Sequence, residues 1–342
     1  MVEPLIWILE GEKTGDNTQL AELASRCTAR VKIMRLQYNV LHHLPNFVAG
    51  ASIRSVTGGI ISELIPPWPD LVLAAGKRSV PVARWIRKAS GGHAHIVQIG
   101  RPRAPLDDFD LVVSTPQYGL PPHPRLAEMD LPFAVAKVVG SVERERWRSA
   151  WQHLPRPLNV VAVGAGKFPM SLPSSALRRL GKAASAAAAG GSLLIIMSPR
   201  SATDAHLTIA REVTVPHCCY PWVPEGDNPY QAALALADRF VVTSDSVSMI
   251  SEGLSTGKPV SLFMLPVSPL QIRWNAQYGL AAWLARKGIL QPPRDIAQIS
   301  RKLLARGYVN ELGAPEVATR TYRRNDEEIV RLIKALLDRN AG

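Results

Sequence analysis

Cysteine is scarce: Cys27, Cys218 and Cys219 are the three in 342 residues. That number and spacing exclude a disulfide framework and point to a reducing compartment. Two of the three stand in "HCCY", His217 to Tyr220, with no second ligand pair at zinc spacing, so they read as structural thiols and no metal site is expected. No apolar run reaches the roughly 18 to 20 residues of a membrane span. Glu3, Glu10 and Glu12 surround the first short apolar run with no basic leader, which is not the pattern of a signal peptide. The expectation is a cytoplasmic protein, with peripheral attachment to the inner face of a membrane as its variant. Aromatics are only 6% of the chain, and neither an aromatic-rich RNA motif nor a recognition-helix pattern occurs, so no nucleic acid is expected as partner. Acidic residues are the minority charge, 28 against 40 Lys and Arg, giving +12. That balance favours anionic partners such as nucleotides or acidic lipid head groups, without choosing between them.

What is present is a full-sized globular chain. A length of 342 residues suggests two domains, and 46% hydrophobic residues supply a core for both. Short Val/Ile/Leu runs recur in the first half: "PLIWILE", "RVKIMRL", "PDLVLAAG", "AHIVQIG" and "FDLVVSTP". Between several of them lie helical patterns, so the runs read as buried parallel strands. "SVERERWRSAWQHLPRPL" reads as a helix and linker ending near Pro157, after which "LNVVAVGAGKFP" starts a second strand and glycine loop. Each half thus alternates strand and helix with its own glycine loop. The expected fold is α/β, with two Rossmann-like doubly wound domains facing a cleft, in residues 1–153 and 157–320. The stripe Ile329, Leu332, Ile333, Leu336 and Leu337 predicts a helix in 321–342 that packs across the domains.

Two loops attract attention. "GEKTGD" carries Gly11, Lys13, Thr14 and Gly15, but a phosphate-binding P-loop needs its Lys and Ser/Thr directly after the second glycine. The order here excludes that motif and leaves a strand, a loop and a helix with Asp16 or Asn17 as N-cap. The second is "SDSVSMISEG", a polar turn between strand Arg239 to Thr243 and a helix holding Glu252. Hydroxyls at Ser244, Ser246 and Ser248, with backbone N–H groups at a helix N-terminus, suit a phosphate. Glu252, one turn after Ser248, can accept both hydroxyl protons of a ribose. The alternative is that Ser246 or Ser248 caps the helix and Glu252 favours its first turn. Cations and indoles mix at Arg78, Trp85, Arg87 and Lys88, and again at Arg144, Trp147, Arg148 and Trp151. Either an anionic membrane surface or ordinary amphipathic helices would use them.

Strand, Ser-rich turn, helix glutamate and "TGKPV" together resemble the donor half of GT-B glycosyltransferases. "GEKTGD" is similar to the GE-x-x-GD loop of lipid-A-disaccharide synthases, with Lys13 and Thr14 where those enzymes carry smaller residues. Over nearly the whole chain, "PDLVLAAGKRSVPVARWIRK", "IVQIGRPRAP", "FDLVVSTPQYGLP", "NPYQAALALAD" and "TSDSVSMISEGLSTGKPV" resemble the mitochondrial-fission, elongated-mitochondria family. The resemblance implies a nucleotide-sugar donor, and no cofactor beyond that substrate. It extends the binding residues to Gly11, Glu12, Thr14 and Gly15, to Asn228 and Tyr230, and to Ser244, Asp245, Ser246, Ser248, Met249 and Glu252. Gly164, Gly166 and Lys167 form a cationic turn suited to a diphosphate, and Arg200 either pairs with phosphate or is solvated. Asp16 is the candidate catalytic base, with an N-cap as its alternative. The expected activity is a metal-independent glycosyltransferase acting on a cell-envelope glycolipid or saccharide. The rival is a non-catalytic scaffold of the same shape in membrane remodelling.

Overall fold

The computed structural model describes residues 3–134, 136–166, 168–224, 226–269, 277–315 and 317–340. The chain divides into two units: Met1–Phe133 with Arg273–Arg294 and Arg324–Gly342, and Ala134–Ile272 with Asp295–Arg323. In order, the first contains β1 (Leu5–Glu10), α1 (Thr14–Ser25), β2 (Arg30–Arg35), β3 (Gln37–Tyr38), α2 (Asn46–Ala49), β4 (Val56–Thr57), α3 (Ile60–Glu63), β5 (Leu71–Ala75), α4 (Val80–Ala89), β6 (His95–Ile99), β7 (Leu111–Ser114) and β8 (Leu126–Glu128). The second contains α5 (Ser141–Ala150), β9 (Leu158–Val163), α6 (Ser174–Ala187), β10 (Ser192–Met197), α7 (Ala205–Ala210), β11 (His217–Tyr220), α8 (Tyr230–Leu236), β12 (Arg239–Thr243), α9 (Val247–Ser255) and β13 (Val260–Phe263). The chain then gives α10 (Gly279–Arg286) to the first unit, α11 (Ala297–Ala305) and β14 (Asn310–Glu311) to the second, and α12 (Asp326–Asn340) to the first.

Each unit is built on a six-stranded sheet, ordered β2-β1-β5-β6-β7-β8 and β11-β10-β9-β12-β13-β14, and the pairs in both are parallel. Numbered along its own segment, the second sheet reads 3-2-1-4-5-6, the Rossmann order, and the first reads 2-1-3-4-5-6. In such sheets the chain leaves neighbouring strands in opposite directions at one point, and the loops there part to leave a crevice. That switch point lies between β1 and β5 in the first unit and between β9 and β12 in the second. The expectation of two Rossmann-like domains is borne out.

Period-two alternation explains the first core. Ile6, Ile8, Leu71 and Leu73 face one side and bury against Leu20 and Leu23 of α1 and Ile329 and Ile333 of α12. Trp7, Leu9, Val72 and Ala74 face the other and bury against Val82 and Ile86 of α4. With both faces covered, the strands carry unbroken apolar runs instead of a polar face.

The expected boundaries shift for this reason. The apolar stripe of α12 completes the first unit's own core, and α12 is part of that unit rather than a separate terminal segment. The α5 helix, expected in the first domain, belongs to the second, where Trp147 and Trp151 are buried and stacked with ring centroids 5.2 Å apart. Trp151 Nε1 donates to the Tyr220 hydroxyl at 2.7 Å. These indoles are core residues, and Trp85 packs edge-on against Trp68 at 6.0 Å, so the amphipathic-helix alternative holds for them. Trp151→Phe keeps most of the ring but removes the N–H donor, and should cost about 0.5–1.5 kcal/mol in urea unfolding. Among the described residues no helix is long and apolar enough to cross a membrane.

Candidate functional site

At the first unit's switch point, the "GEKTGD" loop leaves β1 and turns at once into α1. Helix geometry begins earlier than expected. Lys13 is the N-cap, Thr14 opens the helix, and the Lys13 carbonyl accepts from the N–H groups of Asp16 and Asn17 at 3.0 and 3.1 Å. Neither Asp16 nor Asn17 is therefore the N-cap. Asn17 instead bonds both ways with Gly11: its Oδ1 accepts from Gly11 N at 3.1 Å and its Nδ2 donates to Gly11 O at 2.8 Å. This clamp fixes the loop, while Glu12 is drawn outward by a 2.6 Å ion pair with Arg78. Gly15 is exposed in the first helical turn.

The Asp16 carboxylate points back to the neighbouring strand end. A Cβ added to Gly76, which follows β5 at φ +70°, would lie 3.7 Å from Asp16 Oδ2. Burial raises the Asp16 carboxyl above its ordinary value of 3.8, against the pull of Lys13 and Arg294. A half-buried carboxyl with a raised pKa and nearby cations is suited to taking a proton. Arg294 is a feature that sequence reasoning missed. It lies nearly 280 positions along the chain from Asp16, and nothing local marks it.

The second unit's switch point joins the loops after β9 and β12. Gly164 N donates to Thr243 Oγ1 at 2.8 Å, and the N–H groups of Ala165 and Gly166 donate to Asp245 Oδ2 at 2.9 and 2.8 Å. The backbone donors expected to meet a diphosphate thus hold a carboxylate of the same chain. The physics is that of any anion in a nest of peptide N–H groups. Asp245 is the occupant, and a side chain at Gly164 would collide with it. The Gly164 and Gly166 turn, expected to suit a diphosphate, holds an internal anion in this structure.

Ser244 is fully buried: its Oγ accepts from Leu265 N at 3.0 Å and donates to Met170 Sδ at 3.7 Å. That hydroxyl ties the turn to the segment after β13 and does not face outward, so it is not the open phosphate donor the sequence suggested. Ser246 sits at the N-cap of α9 but makes no side-chain capping bond, and Ser248 is exposed inside the first turn. The capping alternative for the serines is therefore not realised. Met249, next along α9, is half-buried.

Glu252 lies in the second turn of α9 rather than the first, and its partner comes from α8. The Tyr230 hydroxyl donates to Glu252 Oε2 at 2.6 Å. Asn228 accepts from Tyr230 N at 3.0 Å and so starts the helix that carries the tyrosine. The segment before α5 also docks on these helices: Ala136 N donates to Ser255 Oγ at 3.0 Å and Lys137 N to Gln231 Oε1 at 2.9 Å. Burial lifts the Glu252 carboxyl above its ordinary value of 4.5, against the Tyr230 hydroxyl and Lys137. Burial, then the Glu252 charge, pushes the Tyr230 hydroxyl well above 10.

A raised carboxyl has a definite linkage sign. Its contribution to stability is complete below the unfolded value near 4.5 and is lost as pH rises through the raised folded value. Glu252→Gln keeps an acceptor for Tyr230 and should flatten the fall in melting temperature across that window. An unchanged slope would show that the carboxyl is not held in a desolvated place.

Arg200 is exposed, with no hydrogen bond among the described residues. Lys167 lies outside the described residues. His217 to Tyr220 form the edge strand β11, where burial, then the neighbouring Cys218, raises the Cys219 thiol to about 11. A thiol held protonated in this way is a poor metal ligand or nucleophile.

Sheet orders and switch-point loops define an α/β protein of two Rossmann-like domains, as in GT-B proteins. The chain belongs to the mitochondrial fission ELM1 family, whose profile matches residues 14–292. It is 30% identical over 217 residues to the mitochondrial fission protein ELM1 of Arabidopsis thaliana, covering 56% of this chain and 51% of that protein. The chain thus spans about half of that relative's length. It is 23% identical over 301 residues to the uncharacterized protein RP120 of Rickettsia prowazekii, covering 76% of this chain and 83% of that one. Among solved structures, a putative UDP-N-acetylglucosamine 2-epimerase from Listeria monocytogenes superposes with TM-score 0.50 at 11% identity, covering 98% of this chain and 88% of that one. The last likeness is one of fold.

Proposed function

We propose that this protein is a nucleotide-sugar-dependent glycosyltransferase acting on a cell-envelope glycolipid or saccharide. The observation that carries the reading is the Tyr230–Glu252 pair: a half-buried carboxyl on the helix that leaves the second switch point, with one oxygen engaged at 2.6 Å. Glu252 receives the ribose hydroxyls, and the α9 N-terminus receives the diphosphate. Asp16 takes the proton of the acceptor hydroxyl. The acceptor oxygen bonds to the anomeric carbon, the bond from that carbon to the diphosphate oxygen breaks, and the nucleoside diphosphate leaves with the electron pair. Backbone N–H groups and cations meet the leaving charge, so the reaction runs without a metal or further cofactor. The chain's +12 charge suits work at the cytoplasmic face of an anionic membrane.

A second reading, the non-catalytic scaffold in membrane remodelling, is favoured by Asp245. A carboxylate already bonded to Ala165 and Gly166 is what a site that no longer binds phosphate would keep. Thermal-shift titration with nucleoside diphosphates and their sugars separates the two readings, because a ligand of the folded state raises the melting temperature by mass action. A saturable rise with at least one nucleotide is expected. No rise with any of them at millimolar concentration, roughly the weak end of substrate affinities, would favour the scaffold.

A further inference from the structure

At the carboxyl edge of the first sheet three adjacent strands each run into a glycine, and cations come next. Leu9, Ala74 and Gln98 stand in register on adjacent strands. Directly after these three strand ends come Gly11, Gly76 and Gly100. Gly76 and Gly100 have φ +70° and +81°, a backbone shape that glycine alone adopts readily. Tyrosines lie beside two of these glycines: a Cβ at Gly11 would lie 3.9 Å from the Tyr38 hydroxyl, and one at Gly100 would lie 3.8 Å from that of Tyr118.

Directly after these glycines the chain places Lys77 and Arg78 beyond β5, and Arg101 and Arg103 beyond β6. Arg294 joins them, its Nε donating to Gln117 Oε1 at 2.7 Å. Arg101 and Arg294 both sit over the Tyr118 ring at 5.6 Å, and Arg101 also bonds the Pro292 carbonyl. Asn46 Nδ2 donates to Lys77 O and Pro102 O at 3.0 and 2.8 Å, lacing the two cationic loops together. Arg103 is held at φ +55°, the one such non-glycine residue among those described, a conformation that a side chain resists.

These cations repel one another. After burial, Arg103 and Arg78 lower the Lys77 pKa, and Arg103 and Arg294 lower that of Arg101. Among the described residues, Lys77, Arg101, Arg103 and Arg294 make no ion pair, whereas Arg26, Arg78, Arg84 and Arg87 of the same unit each have a carboxylate. Uncharged acceptors and one aromatic ring hold Arg101 and Arg294 in place, while the Lys77 and Arg103 side chains make no hydrogen bond among the described residues. A like-charge cluster with no ion pair, beside glycine-rich strand ends, has the form of an anion site with its counter-charge missing.

We propose that Lys77, Arg101, Arg103 and Arg294 bind a phosphate group carried by the acceptor, so that the substrate whose hydroxyl faces Asp16 is a phosphorylated molecule. The term acceptor rests on the transferase reading above, but the phosphate site does not.

Full-chain protein would be titrated with inorganic phosphate and glycerol 3-phosphate in low-salt buffer, with glycerol as the uncharged control. Phosphatidylcholine vesicles with and without phosphatidic acid test whether the phosphate is that of a lipid. Lys77→Gln/Arg103→Gln, which removes no hydrogen bond among the described residues, should weaken phosphate binding by about tenfold or more. Arg101→Gln, checked for native melting, should do the same. Nucleoside diphosphate binding should be unchanged in both variants, and Glu252→Ala should leave phosphate binding intact. Phosphate binding lost in the variants but with no nucleotide binding anywhere would retain this site and remove the transferase reading. Equal phosphate affinity in wild type and variants, or nucleotide binding that falls in parallel with phosphate, would overturn the proposal.

Discussion

Asp16→Asn is expected to lower transfer by about 10²- to 10⁴-fold, the usual value of a general base, while donor affinity stays the same. The carboxyl lies at the first switch point beside Gly76, and burial raises its pKa above the ordinary 3.8. The active form is the carboxylate, so wild-type rate should climb with pH through that raised value and then level. The Asn variant is nearly isosteric and cannot take a proton, and should lose that limb along with the rate. Its position in the first turn of α1 gives the competing account, in which the charge only favours the helix N-terminus. On that account Asp16→Asn costs about 0.3–1 kcal/mol of stability and leaves turnover unaltered. Melting temperature and single-turnover rate measured on the same variant decide between them.

Glu252→Ala is expected to weaken nucleoside diphosphate binding by about 1.5–3 kcal/mol, the loss of hydrogen bonds to a charged group. Tyr230 makes the prediction sharper than it was from sequence. Its hydroxyl holds Oε2 at 2.6 Å, which orients the carboxyl before any ligand arrives. Tyr230→Phe should therefore reduce affinity less than Glu252→Ala, because the acceptor oxygens remain and only their orientation loosens. If Tyr230→Phe and Glu252→Ala were equally mild, the pair would be a helix-to-helix tie with no ligand.

The fold was legible because the physics that forms it is local and repeated. Buried parallel strands show as apolar runs, and the runs at Leu5–Glu10, Leu71–Ala75 and Arg239–Thr243 stand where the chain suggested. Strands too short for a run, such as Leu126–Glu128 and Asn310–Glu311, carried no such signal. Unit boundaries were less legible. The α12 stripe announces a buried face but not its destination, and only the packed structure shows it against Ile6, Ile8 and Leu73.

Site residues divide in the same way. The two switch-point loops were found because a strand followed by glycine or serine and a helix is a local pattern. What occupies them was not. Asp245 reaches back across the sheet to Ala165 and Gly166, some 80 positions earlier, and Thr243 at the end of β12 caps Gly164. The clamp of Asn17 on Gly11 is local, but it needs the true start of α1 at Thr14 to be recognised. Ser244 looked like one of three equivalent hydroxyls. Its partners Leu265 and Met170 lie far along the chain and hold it inward.

The central claim, that Glu252 reads a ribose, is tested most directly by calorimetric titration of wild type and Glu252→Ala with one nucleoside diphosphate and its 2′-deoxy analogue. Removing the 2′-hydroxyl and removing the carboxylate delete the two ends of one hydrogen bond, so their effects should not add. The wild type should bind the ribose form more tightly by about 1 kcal/mol or more, and the variant should bind both forms alike. Equal discrimination in wild type and variant, or none in either, would contradict a ribose-binding role for Glu252 and leave the scaffold as the better account.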